Sequence, residues 1–153
     1  MSTTADTSRA SSHSIRAANI GDADQVFSLL KQLGSGYAPD RIAFDKSFAF
    51  LVDDHQMSVL FVAEDGSGVV FGYALTTISP LLHTNGRSAQ LQELVVDDSQ
   101  RGIGIGTALI ERIERLCRDE HVKQLTVASQ RSADLYERLG YRSTADFLKR
   151  TFD

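Results

Sequence analysis

Apolar residues recur along this chain in two rhythms, and the switches between them mark its elements. The runs 59–63, 69–78 and 89–96 have strand character. Val26, Leu29, Leu30 and Leu33, then Phe44, Phe48, Leu51 and Val52, and finally Ala108, Leu109, Ile110, Ile113, Leu116 and Cys117 return at helical spacing. Asp65-Gly66-Ser67-Gly68 between the first two strands predicts a hairpin turn. A short strand is expected at 14–18, and Asp22 with Gln25 has the spacing of a capping box opening the first helix, which Gly34 stops. The second helix follows Pro39, Pro80 is expected to end the second long strand, and 125–128, 132–139 and the stretch from about Tyr141 predict a strand, a helix and a last strand. The pattern is that of an α/β chain of mixed type, with a mostly antiparallel central sheet flanked by helices and no internal repeat.

Size and composition narrow the classes. A chain of 153 residues, 42% hydrophobic, can bury a full core as one domain over 14–153 without disulfides or metals. Residues 1–13, rich in Ser, Thr and Ala, are expected to be a disordered tail, with neither a secretory signal nor a membrane span. The cytoplasm is therefore the expected compartment. Cys117, the single cysteine, falls on an apolar helical stripe and is expected to pack in the core. His13, His55, His83 and His121 lack metal-ligand spacing, so no metal is expected. A net charge of −4 argues against a nucleic-acid partner.

The stretch richest in chemistry is Gln100-Arg101-Gly102-Ile103-Gly104-Ile105-Gly106-Thr107, which joins a strand to a helix through three glycines. At a helix N-terminus the first N–H groups lack intrahelical partners and the macrodipole is positive, so the loop can cradle a phosphate. Arg101 adds a charge-assisted donor. A Walker A loop would need Lys followed by Ser or Thr after the last glycine, and Gly106 is followed by Thr107-Ala108. A dinucleotide fingerprint spaces its glycines Gly-x-Gly-x-x-Gly, whereas the spacing here is Gly-x-Gly-x-Gly. A plain connecting turn is the remaining alternative.

Arg101 to Gly106 resembles the Arg/Gln-x-x-Gly-x-Gly/Ala signature of the GNAT superfamily of acetyl-CoA-dependent N-acetyltransferases. Glu93-Leu94-Val95-Val96 resembles that family's central strand, and Ala133-Asp134-Leu135-Tyr136-Glu137-Arg138-Leu139-Gly140-Tyr141 its late helix. The resemblance covers roughly residues 14–152. It implies a GNAT-like acyl-CoA N-acyltransferase fold, acetyl-CoA as acetyl donor, and a small-molecule or peptide amine as acceptor. It also implies strand addition of the pantetheine arm at Leu94, Val95 and Val96, and pyrophosphate binding by the amides of Arg101, Gly102, Ile103, Gly104, Ile105, Gly106 and Thr107. Where the family often carries Asn, this chain has Gln130, beside Arg131; both are further candidates for cofactor contact, or else solvated loop residues. Many relatives form dimers through their late strands, and Phe147, Leu148 and Phe152 could serve such a homodimer interface or equally fill the monomer core.

Acetyl transfer needs a base for the protonated amine and an acid for the departing thiolate. Glu93 is the candidate base, acting through water, because a carboxylate in an apolar strand is costly unless paired or functional. Period-two alternation places it on one face with Leu91 and Val95. The structural alternatives are pairing with an arginine or a solvated strand edge. Tyr136 takes the acid role from the resemblance; by itself a tyrosine on a helix is more often a core filler. Tyr141 is expected in the core. The acceptor site is expected from the first two helices, the loop 80–87 and the C-terminal strand. Leu81, Leu82, His83 and Thr84 are candidate lining residues, His83 or bulk water is a reserve base, and Asp45, Asp53 and Asp54 are either a cation lure or a solvated face. A non-catalytic acyl-CoA-binding sensor or regulatory module is the alternative function.

Overall fold

The computed structural model describes residues 13–34, 36–54, 56–129 and 133–153. The expected tail, His55, Gln130, Arg131 and Ser132 accordingly lie outside the described residues, apart from His13. Among the described residues five strands form one sheet in chain order: β1 Ser14–Ala17, β2 Ser58–Glu64, β3 Val70–Leu81, β4 Gly86–Val96 and β5 Gln124–Val127. The first four pair antiparallel, and β5 joins β4 parallel, as a crossover through a helix requires. The helices are α1 Ala23–Leu30, α2 Arg41–Asp53, α3 Ile105–Asp119 and α4 Ala133–Arg138. Among the described residues no helix is long and apolar enough to cross a membrane.

Two apolar layers sandwich the sheet. On one face Ile105, Leu109, Ile110, Ile113 and Cys117 of α3 pack on Phe61, Ala63, Ala74, Ile78, Ala89 and Leu91. On the other, Val26 and Leu29 of α1 and Phe48 of α2 pack on Leu60, Val62, Val70, Tyr73 and Val95. Alternation along β2 sends Leu60 and Val62 one way and Phe61 and Ala63 the other, so the strand is buried on both sides.

Some local readings change. The capping box is Asn19 with Asp22, one turn earlier than expected: Asn19 Oδ1 accepts from the Gly21 amide and Asp22 Oδ2 from the Asn19 amide. Asp22 is buried and also takes two bonds of 2.8 Å from Arg16, which reaches on to Glu64. Gln25 instead bridges α1 to β3, accepting from the Val70 amide and donating to the Gly68 carbonyl. Pro80 does not end β3: it pairs with Arg87 near the free end of the hairpin, so the expected loop 80–87 shrinks to a tight turn around Asn85.

The last expected strand is absent. Gly140, at φ +96°, carries the chain out of α4, and residues 142–153 form no strand. Phe147, Leu148 and Phe152 are 74%, 90% and 82% exposed, so they do not fill the core of this chain. Physically, the stretch after Tyr141 places Phe147, Leu148 and Phe152 among mostly polar residues without a period-two run, too little to dock a strand by burial alone.

Candidate active site

The site begins where two strands part. β4 and β5 pair from Ser88↔Gln124 to Leu91↔Val127 and no further, leaving β4 from Gln92 onward with an open edge. The opening is a cleft of about 860 Å³ lined by residues 91–96 of β4, the glycine loop, Val127 to Ser129, and Leu135, Tyr136 and Arg138 of α4. Leu94, Val95 and Val96, the expected strand-addition residues, therefore border open space. Gln32, Leu33 and Gly34 close the other side. Sequence reading used Gly34 only as a helix stop; here Gln32 ties the end of α1 to the turn after β4, accepting from the Asp98 amide at 3.0 Å.

The glycine loop sits at the start of α3 as its sequence predicts. Gly102 at φ +85° and Gly104 at φ +89° occupy left-handed backbone, and Gly104 is the N-cap residue with no side-chain cap on the first turn. The leading amides of α3 are thereby left for a ligand. Neither glycine faces a steric limit, since a Cβ at either would meet nothing within 4 Å; conformation is their requirement. Gly106 differs, being helical, with a Cβ that would lie 3.7 Å from Val96, an ordinary contact. Arg101 is exposed and held by Asp98 at 2.8 Å and by the Val96 carbonyl at 3.3 Å, which stations its guanidinium at the cleft mouth. Gly102, Gly104, Ile105, Gly106 and Thr107 line the cleft with it, while Ile103 is exposed outside the lining.

Glu93 reaches its place through a β-bulge. Leu75 pairs with Glu93 but Thr76 pairs with Leu91, so Gln92 has no residue opposite. The extra residue resets the alternation: Leu91 and then Leu94 and Val96 face α3, whereas Val95 faces α1. Glu93 consequently shares Val95's face and not Leu91's, which corrects the simple period-two reading. It is half-buried, and no described Lys or Arg forms an ion pair with it. Its partner is Tyr73, whose hydroxyl donates to Glu93 Oε1 at 2.7 Å. Sequence reading passed over Tyr73, because only strand register brings residues 73 and 93 together.

Tyr136 is buried against the α3 layer, with its ring edge-to-face on Tyr141 at 5.7 Å. It lines the same cleft as Glu93. Burial pushes its phenol above the ordinary tyrosine value, keeping it protonated. Among the described residues its hydroxyl has no hydrogen-bond partner, whereas the Tyr141 hydroxyl is spent on Glu114 at 2.6 Å. Tyr136 thus has the free donor, and Tyr141 packs as expected.

Other candidates are drawn apart. His83 sits at the far tip of the β3–β4 hairpin; from Gly86 to Glu93 alone is seven strand steps, roughly 23 Å at about 3.3 Å each. Leu82 is 99% exposed there. Asp45 is taken by Arg41 at 2.7 Å, and Asp54 accepts from the Gln56 and Met57 amides, so neither is a free lure for an amine.

Comparison with known proteins bears on the family and the fold. The sequence profile described as "Acetyltransferase (GNAT) domain" matches residues 56–143. A glucosamine 6-phosphate N-acetyltransferase of Trypanosoma brucei brucei is 34% identical over 79 residues, covering 50% of this chain and 54% of that protein. The chain therefore matches about half the length of this curated relative. Among solved structures, a transcriptional regulator from Bacillus halodurans C-125 superposes with a TM-score of 0.83 at 22% identity, over 92% of this chain and 99% of that one. The glucosamine-6-phosphate N-acetyltransferase of Arabidopsis thaliana gives 0.80 at 21% identity with the same coverage. At such identities the structures establish a shared fold.

Proposed function

This chain belongs to the GNAT family of acetyltransferases, and from that premise we propose that it moves the acetyl group of acetyl-CoA directly onto a primary amine, with Glu93 as general base and Tyr136 as general acid. One observation carries the reading: a single cleft is lined by the carboxylate, the free phenol, an open strand edge and the uncapped start of α3. The pantetheine arm would add to β4 at Leu94 to Val96, and the pyrophosphate would take the first amides of α3 with Arg101 beside them.

The chemistry then follows in order. Glu93 accepts the amine proton through a water, and the nitrogen lone pair attacks the thioester carbonyl carbon. The tetrahedral intermediate collapses, the C–S bond breaks, the thiolate takes the Tyr136 proton, and the second proton shed by the acylated nitrogen returns through water to Tyr136 as the neutral amide forms. A β4 backbone N–H at the open edge would steady the oxyanion. Burial of Tyr136 suits this order, because a phenol held protonated is present as donor in every turnover.

For the acceptor, the name of the trypanosomal relative puts an amino-sugar phosphate at the head of the candidates. The test is free-thiol release from acetyl-CoA with glucosamine 6-phosphate, polyamines, aminoglycosides, amino acids and peptide amines, using the intact protein, Glu93→Gln and Tyr136→Phe. Release with one class that both variants largely lose supports the proposal. Binding of acetyl-CoA without release from any class favours the sensor alternative. Equal release by the variants removes the assigned roles.

A further inference from the structure

Tyr73 is among the largest fully buried side chains of the described residues, 2% exposed on β3, and its polar atom is aimed at the one carboxylate that the described residues place in the cleft wall. We infer that Tyr73 is the positioning residue of the base: it holds Glu93 by Oε1 and leaves Oε2 for the water or amine to be deprotonated. This rests on the reading of Glu93 as the base.

Three features carry it. First, Tyr73 packs in the layer formed with Val26, Leu29 and Val95, so its hydroxyl is delivered from a rigid support rather than a mobile loop. Second, the bulge at Gln92 takes Glu93 out of alternation with Leu91 and turns it onto the face Tyr73 occupies; an unbulged strand would send it toward α3. Gln92 is itself pinned by donating to Thr77 Oγ1 at 2.9 Å, which fixes the bulge. Third, with no described cation paired to Glu93, the phenol is its fixed partner. A half-buried carboxylate so held loses little freedom on engaging substrate, the gain expected from orienting a base. Burial and the Glu93 charge push the Tyr73 phenol far above the ordinary tyrosine value, so it acts as donor and does not compete as a base.

The rival is that Glu93 exists to satisfy a core tyrosine. Four proteins separate the two: wild type, Tyr73→Phe, Glu93→Gln and the double variant, compared for kcat, for KM of both substrates and for melting midpoint. Tyr73→Phe deletes one oxygen and keeps the ring, so packing survives, and assays are run below the lowest midpoint. Expected is a kcat loss of about ten- to a hundredfold with KM for acetyl-CoA within about twofold, the size of one bond to a charged group. In the Glu93→Gln background the same change should cost nothing further. Equal losses in both backgrounds, or a wild-type kcat in Tyr73→Phe, overturn the inference while leaving the base standing. Wild-type kcat in Glu93→Gln overturns the base itself.

Discussion

Gly104 and Gly106 look alike in the sequence and should respond oppositely to alanine. At Gly104 the backbone sits at φ +89° and a Cβ would touch nothing, so the whole cost is conformational, about 1–2 kcal/mol for an L-residue in left-handed backbone. For a domain of this size that lowers the melting midpoint by roughly 2–8 °C. Relaxing that strain rotates the peptide leading into α3, and losing even one phosphate bond to its amides weakens binding about tenfold or more. Gly106 is already helical and its Cβ would make an ordinary 3.7 Å contact with Val96. Its replacement should raise stability by about 0.4–1 kcal/mol through a less flexible unfolded chain. Cofactor affinity should stay near wild type. Thermal melts of both free variants, with calorimetric titration of acetyl-CoA, decide the matter. Lost binding in Gly106→Ala with wild-type melting and binding in Gly104→Ala would refute the view that the loop works through backbone conformation.

Other outcomes follow from particular contacts. A raised Tyr136 phenol means that any alkaline loss of kcat reporting this group should fall above pH of about 10, and Tyr136→Phe should remove that limb with little change in acetyl-CoA affinity. Asp22 is held below its ordinary value of 3.8 chiefly by the Arg16 guanidinium, so its contribution to stability is whole above that value and fades as pH falls below it. The midpoint of Asp22→Asn should accordingly converge on wild type in acid and lag behind it at neutral pH; a constant gap would contradict the assignment. Gly72→Ala would bring a Cβ within 2.9 Å of the Val95 carbonyl and against Ile105 and Leu109, and should cost about 1–3 kcal/mol by denaturant unfolding.

What this sequence determines alone is what short-range physics can carry. The apolar periods of α1, α2 and α3 and the Asp65–Gly68 turn are set within a few residues of chain, and their positions follow from the pattern. The glycine loop is legible for the same reason, since left-handed backbone and a bare helix start are local properties. Tyr136 is singled out by the family resemblance of the Ala133 to Gly140 stretch, not by a local physical rule. Tertiary structure decided whatever depends on pairing between distant residues. The bulge opposite Leu75 and Thr76 turned Glu93 to the other face, and one inserted residue inverts everything after it in a period-two pattern. Register across β3 and β4 gave Glu93 a tyrosine twenty residues away. Separation of β4 from β5 after Leu91 opened the cleft, and the length of β4 put His83 far from Glu93. Residues 142–153 show the same boundary from the other side: strand propensity becomes a strand only where burial and a paired edge together outweigh the ordering entropy, and neither can be read from the stretch itself.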